Sequence, residues 1–388
     1  MRLPGFILAL TNMVAFLLAI SSQTLAFITI DFQLFPLNFQ HIHSMLKEPH
    51  SMRTILIFNP TSGSSPMANH QGTTDDIREQ IIAALRTHDI EPEVHETTEE
   101  DPGTQMAKKL ADEGADVVIA AGGDGTLHAV ATGLIGTKST LGILPMGTMN
   151  NIAHSLEIPE DIEKACSIIA KGQTSLIDVG EINGNIFLEV AGIGLEAALF
   201  PAAEEIKSTG IMSTIKGVFE GLNTLFSFEP TRFTATFDGK RKRHFHAVQI
   251  SVCNSPYYGA HFRFAPNAVM DDGFLDVLIY RNFSKFEYLR HALSISQGKR
   301  TLGLKVSQRK IKSIHIEAEH PVEIHADGEQ KGHTPTTIRI RPGVLRVRVP
   351  ERVATGPNMI TEERKRTIRF QRSQTGELEA EKGALNVK

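Results

Sequence analysis

The segment ADVVIAAGGDGTLHAVATGL, Ala115 to Leu134, limits the possible folds of this chain more than any other stretch. An apolar run leads directly into Gly122-Gly123-Asp124-Gly125-Thr126, and a helix-forming sequence follows without a break. A strand apolar on both faces belongs inside a sheet that is covered on both sides. A glycine turn from such a strand into a helix lets the backbone approach a ligand. It also gathers N–H groups and the positive helix end at one spot, which suits an anion. Two adjacent glycines followed by an acid are more than a plain tight turn requires.

The same unit recurs on either side. RTILIFN, Arg53 to Asn59, is a short apolar run closed by the turn cluster PTSGSS. Asp75 to His88 carries Ile77, Ile81, Ile82 and Leu85 at helical spacing, with acids in its first turn. EPEVHETT then reads as a strand, TQMAKKLADEG as a helix ended by Gly114, LHAVATGLI as a helix and TLGILP as a strand. Alternating strands and helices predict a mostly parallel sheet with helices on both faces. In such sheets ligands bind at the carboxyl ends of the strands. Three loops fall there: Asn59 to Gly63, Gly122 to Thr126, and Pro145 to Asn151 with Gly147, Thr148 and Asn150. Asp124 would repel phosphate unless a cation such as Mg²⁺ lay between them. Neither a Gly-x4-Gly-Lys-Ser/Thr loop nor a Gly-x-Gly-x-x-Gly turn is present at these sites.

Composition excludes several classes. Hydrophobic residues are 41% and charged residues 22% of 388, an ordinary globular mixture that rules out wholesale disorder. A net charge of −4 gives no basic field, so no nucleic-acid partner is expected. Two cysteines, Cys166 and Cys253, cannot build a disulfide scaffold or a zinc cluster.

NPTSG, AAGGDGTLHAVATGL and LGILPMGTMNNIAHSL, in that order and separation, resemble the diacylglycerol-kinase catalytic domain of bacterial soluble lipid kinases and sphingosine kinases. The likeness runs from about Met52 to Val349. It implies ATP held by the glycine-rich loops and a lipid hydroxyl as acceptor. By resemblance the nucleotide contacts Asn59, Gly122, Gly123, Asp124, Gly125, Thr126, Gly147, Thr148 and Asn150, together with Thr98 or its neighbour Thr97. Asn151 departs from the family, where aspartate is common, and removes a charge near the phosphates.

From Ile177 the pattern changes to extended segments separated by Asn183-Gly184, Asp238-Gly239 and Asp271-Asp272-Gly273. Helical stretches interrupt near Leu195 to Lys207 and Ile211 to Phe226 and could shape an acyl-chain pocket or simply fill a core. The expected fold is therefore a Rossmann-like α/β N-terminal domain with a mostly parallel sheet, plus a mostly antiparallel β-sandwich C-terminal domain. The boundaries read as 1–51 for a hydrophobic extension, 52–176 for the nucleotide-binding domain and 177–350 for the β-rich domain. The end of the β-rich domain returns to the first domain or stays within the second, and 351–388 form a charged tail.

Two acidic motifs lie in this second half. AVMDDGFLDV resembles the segment where relatives bind Mg²⁺, which implies Asp272 as carboxylate ligand with Val269 and Phe274 lending carbonyls; its spacing alone also suits a hairpin turn. Ala326-Asp327-Gly328-Glu329 matches the family's DGE motif and implies Glu329 as general base, with Asp124 as its catalytic companion. A lipid hydroxyl is too weakly acidic to attack phosphorus unassisted, and a carboxylate can take its proton.

Leu3 to Ile30 holds no charged residue and is long enough to cross a bilayer. It reads as an anchor, a signal peptide with Arg2 before it and Thr24-Leu25-Ala26 at its exit, or an extension preceding a start at Met52. The resemblance implies a cytoplasmic enzyme in contact with a membrane surface, associated with it or anchored by residues 3–30, and allows a homodimer. His41 with His43, and His244 with His246, lack a third ligand at metal spacing, so surface or core roles are expected. The expected activity is transfer of the γ-phosphoryl group of ATP to a lipid hydroxyl such as that of diacylglycerol. The alternatives are an NAD kinase, which shares the GGDGT loop, and a catalytically silent nucleotide or lipid sensor.

Overall fold

The computed structural model describes residues 52–62, 73–199, 223–240, 242–259, 263–281, 283–296 and 305–351, with Lys216, Glu220 and Gly221. The extension 1–51 with His41 and His43, Gly63, most of the stretch from 200 to 222 and the tail beyond 351 lie outside the described residues.

The alternation predicted from the sequence is realised. β1 (Thr54–Phe58), β2 (Glu93–Glu96), β3 (Val117–Gly122) and β4 (Thr140–Pro145) form a parallel array in the order β2-β1-β3-β4. The helices are α1 (Thr74–Arg86), α2 (Thr104–Asp112), α3 (Asp124–Leu134), α4 (Asn151–Ser155) and α5 (Ile162–Lys171). Every residue of β1 and β3 is buried, as strands covered on both faces require. Each fully buried Val, Leu or Ile here contributes on the order of 1.5–3 kcal/mol. α3 starts at Asp124 rather than after Thr126, so half of the glycine motif is already helix.

The later half is a sandwich. One sheet carries β5 (Gln173–Ile182), β6 (Asn185–Phe187), β8 (Thr231–Phe237), β9 (Lys242–Ala247), β13 (Ser313–Ala318) and β16 (Thr336–Val349). The other runs β12-β11-β10-β7-β14-β15. Its members are β7 (Val190–Gly194), β10 (Gln249–Cys253), β11 (Leu275–Tyr280), β12 (Val306–Ile311), β14 (Glu323–Ala326) and β15 (Glu329–His333). All pairings in this second sheet are antiparallel. Ile182, Phe233, Ile250, Val277, Ile314 and Ile324 belong to one buried cluster drawn from both sheets. A further helix, α6 (Lys285–Ser296), follows β11.

β16 joins the two halves. Its early residues pair with β13 and β5, and its late residues with β5. Val347 lies parallel beside Leu141 of β4. The register shifts between Arg341 and Leu345, where Gly343 has φ +60° and sends its N–H 2.8 Å to Asp178 Oδ1. Among the described residues no helix is long and apolar enough to cross a membrane. On β9, His244 and His246 are both exposed and His244 Nδ1 meets Thr234 Oγ1, a surface role.

Candidate functional site

Three strand ends assemble one ledge. Asn59, just past β1, donates from Nδ2 to Thr126 Oγ1 at 2.7 Å, and its Oδ1 accepts from Thr61 N–H and Oγ1–H. Gly123 N–H points to Ser62 Oγ at 3.4 Å. Met146 N–H donates to Gly122 O at 2.9 Å, so the second and third loops share a backbone bond. The glycines here are required by space. A Cβ on Gly122 would lie 2.5 Å from Thr126 Cβ, and one on Gly147 would lie 2.6 Å from Gly123 Cα. Gly123 caps α3 without any side-chain hydrogen bond of its own, and a helix N-terminus at this place suits an anion.

Two of the expected nucleotide residues have internal employment. Asp124 accepts the N–H of Asn151 at 3.1 Å and of Ile152 at 3.2 Å, so its carboxylate caps α4. Asn150, in the left-handed region at φ +48°, accepts from Gly147 N–H and donates to Gly147 O and Glu160 Oε1. It is 4% exposed and fixes the third loop. Thr97 N–H extends the β2 pairing to Phe58 O. Exposed Thr98 exchanges bonds with Asp101, whose carboxylate in turn caps α2 through the N–H of Gly103, Gln105 and Met106. Gly125 is exposed, and Thr148 is half-buried in the third loop.

The DGE motif forms the two-residue turn between β14 and β15. Asp327 at φ +45° and Gly328 at φ +89° give the turn that suits a twisted hairpin. Asp327 is buried and accepts three backbone N–H groups: Leu188 at 2.5 Å, Glu189 at 2.9 Å and Val190 at 3.0 Å. Burial pushes its carboxyl above the usual carboxylate range, against the pull of His128 and those three donors. Glu329 lies on the more open side and pairs with Lys331 Nζ at 2.5 Å. That bond holds its carboxyl below the usual value, and the charges of His128 and His325 add to the effect.

His128 links the ledge to this hairpin. It stands one helical turn after Asp124 on α3, with Nε2 3.1 Å from Ile186 O and 3.8 Å from Asp327 Oδ2. Further bonds cross the same seam. Ser155 Oγ lies 2.9 Å from Ser255 Oγ, and the rings of His154 and Tyr257 meet edge-on at 4.5 Å. Asn254, fully buried, donates to both Asp178 O and Leu188 O. The helix that opens at the glycine turn therefore meets the DGE hairpin at the junction of the two halves.

The turn at Val269, Asp272 and Phe274 lies apart from that pair. Asp272 Oδ1 accepts Phe274 N–H at 3.1 Å and Oδ2 meets Lys310 Nζ at 2.5 Å. Asp178, behind the turn, accepts from Gly273 N–H, and burial together with Asp272 and Asp271 raises its carboxyl pKa. Among the described residues no three His, Cys, Asp or Glu side chains are grouped for a metal ion. With a lysine already on Asp272, these donors do not fit a resident cation.

An apolar cavity of about 440 Å³ opens in the second half, lined by Leu195, Leu225, Phe228, Val248, Phe283 and Tyr288 among others. Phe226 and Phe286 stand at it, 42% and 74% exposed, with their rings 5.8 Å apart. Behind Tyr288 a polar chain begins: its hydroxyl donates to Gln249 Oε1 at 2.5 Å, and Gln249 Nε2 donates to Glu196 Oε2 at 2.8 Å. Ser251 Oγ also donates to that oxygen, and burial pushes the Glu196 carboxyl up to about 7. Cys253 is fully buried, its thiol pushed far up by burial, and Cys166 is likewise buried with its thiol pushed up to about 12.

Sequence reasoning passed over His128, Asn254, Asp327 and Glu196. The only local signals were His128 standing four residues after Asp124 on one helix face, and Asp327 standing two before Glu329.

Comparison with known proteins agrees with this plan. Residues 53–182 match the family described as diacylglycerol kinase catalytic domain, and residues 190–349 match the YegS C-terminal NAD kinase beta sandwich-like domain. A diacylglycerol kinase of Bacillus subtilis (strain 168) is 29% identical over 288 residues, 73% of this chain and 91% of the relative. One from Staphylococcus aureus (strain MRSA252) is 28% identical over 290 residues, 74% of this chain and 89% of the relative. A crystal structure of a diacylglycerol kinase from Bacillus anthracis str. Sterne matches with a TM-score of 0.61 at 26% identity, covering 78% of this chain and 98% of that one. With a glycine-loop ledge, a DGE hairpin held to its helix by His128 and both matches in sequence order, the chain is built from a diacylglycerol kinase catalytic domain over residues 53–182 and a YegS-type C-terminal sandwich domain over residues 190–349.

Proposed function

We propose that this protein is an ATP-dependent lipid kinase that transfers the γ-phosphoryl group to a lipid hydroxyl, with a diacylglycerol-like acceptor. The observation that carries the reading is the approach of Asp327 to His128, which sets the DGE hairpin against the helix that opens at the glycine turn. ATP, taken up with Mg²⁺ as its counter-ion, lies over Asn59, Gly122 to Thr126 and Gly147 to Thr148, with its phosphates toward the open first turn of α3. Glu329, kept ionised by Lys331, is the base. The acceptor oxygen bonds to the γ-phosphorus, its proton passes to Glu329, and the bond from phosphorus to the departing ADP oxygen breaks. Asp124 contributes by fixing α4 and the third loop rather than by touching the phosphates. The apolar cavity supports an acyl-chain site, and the exposed Phe226 and Phe286 support contact with a membrane surface.

Incubation with labelled ATP and a panel of diacylglycerol, a sphingoid base, phosphatidylglycerol, a polyprenol and NAD tests the reading. Label on one lipid is expected, and label on NAD alone overturns it. Glu329→Gln is expected to lower turnover by about 10²-fold or more while ATP binding stays within about twofold. Unchanged turnover removes Glu329 as the base.

A further inference from the structure

His128 has no part in the mechanism just described, yet it is the side chain of α3 that reaches the hairpin of the proposed base. Its Nε2 is 3.1 Å from the Ile186 carbonyl, so that nitrogen carries a proton, and the same N–H lies 3.8 Å from Asp327 Oδ2. Asp327 in turn holds the N–H groups of Leu188, Glu189 and Val190, which places the β6–β7 connection, the hairpin turn and α3 in one hydrogen-bonded knot. The Asp327 side chain is 6% exposed and that of His128 21%. A hydrogen bond at this depth is largely shielded from competing water. We propose that His128 is a positioning residue: its imidazole N–H, held on the Ile186 carbonyl beside Asp327, clamps the β6–β7 connection and the Asp327–Gly328–Glu329 turn against the helix that opens at the nucleotide ledge.

The catalytic half of the claim rests on the lipid-kinase reading; the structural half does not.

The test uses the full chain and two variants, His128→Asn, which keeps an N–H donor, and His128→Ala, which removes it. Amide hydrogen exchange at Leu188, Glu189 and Val190, compared at one pH, reads the clamp directly. Exchange is expected to speed up by on the order of threefold or more in His128→Ala and to stay within about twofold of the native rate in His128→Asn. Turnover, measured beside it, is expected to fall by on the order of tenfold in His128→Ala with KM for ATP within about twofold, and to recover in His128→Asn. Native exchange rates at these three amides in His128→Ala overturn the proposal. Exchange changing as expected without phosphorylation of any lipid leaves the clamp standing and removes the lipid-kinase reading instead.

Discussion

Glu196 ties the stability of this protein to pH in a direction opposite to the usual carboxylate. Its Oε2 accepts from Gln249 and Ser251, and among the described residues Oε1 has no hydrogen-bond partner and no cation stands beside the carboxylate. Burial raises its pKa from 4.5 to about 7. Below pH 4.5 the carboxyl is protonated in both folded and unfolded chains and carries no penalty. Between 4.5 and 7 the unfolded chain releases a proton that the folded chain retains, so stability falls as pH rises, and above 7 the loss is complete. At about 1.4 kcal/mol per unit, the full loss is roughly 3 kcal/mol, most of which falls between pH 5 and 8. Glu196→Gln keeps an oxygen for Gln249 and Ser251 and removes the titration. Urea unfolding of native and variant protein at matched pH values gives the difference, in which the other carboxylates cancel. The native protein is expected to lose roughly 2–3 kcal/mol relative to Glu196→Gln from pH 5 to pH 8. A difference constant to within about 0.5 kcal/mol over that range would refute the reasoning, since a carboxyl that ionises without penalty has access to water or a cation.

Gly147→Ala places a Cβ 2.6 Å from Gly123 Cα, so the second and third loops must separate. ATP affinity is expected to drop by about tenfold or more by calorimetry, and a change under twofold would mean the loops yield without disturbing the ledge. Lys331→Ala removes the largest influence lowering the Glu329 carboxyl, so the acidic limb of the turnover–pH profile is expected to move upward. An acidic limb that stays in place would dissociate that titration from Glu329.

The parallel sheet and its three ligand-facing loops were legible because their causes are local. Apolar runs such as Val117 to Ala121 declare a strand buried on both faces, and the glycines at 122, 123 and 147 are demanded by contacts within or between neighbouring turns. The antiparallel sandwich was legible from turn residues, with Asn183-Gly184, Asp238-Gly239 and Asp327-Gly328 all at positive φ. Side-chain employment was less legible. Asp124 reads as an acid beside a phosphate loop, but the third loop brings two α4 N–H groups within its reach, and a carboxylate there caps the helix. Asn150 reads as a donor for a ligand, but once the chain turns left-handed at φ +48° its amide closes back on Gly147.

The meeting of α3 with the DGE hairpin was the least legible, because no local pattern encodes it. It depends on β16, whose late residues lie beside β4 and β5 while its early residues pair with β13. The break in that strand falls at Gly343, whose N–H is bound by Asp178. The backbone of Asp178 is held by Met270 O and Asn254 Nδ2, and Asn254 also holds Leu188 O. Leu188 N–H is one of the three bound by Asp327. A continuous run of hydrogen bonds thus leads from the bend of the shared strand to the hairpin that carries Glu329. The position of the proposed base relative to the nucleotide ledge is therefore set by where β16 bends. This gives the acidic turn at 270–273 a structural reason to exist: Asp178 accepts one N–H from the turn, at Gly273, and one from the bend, at Gly343, and so ties the two together.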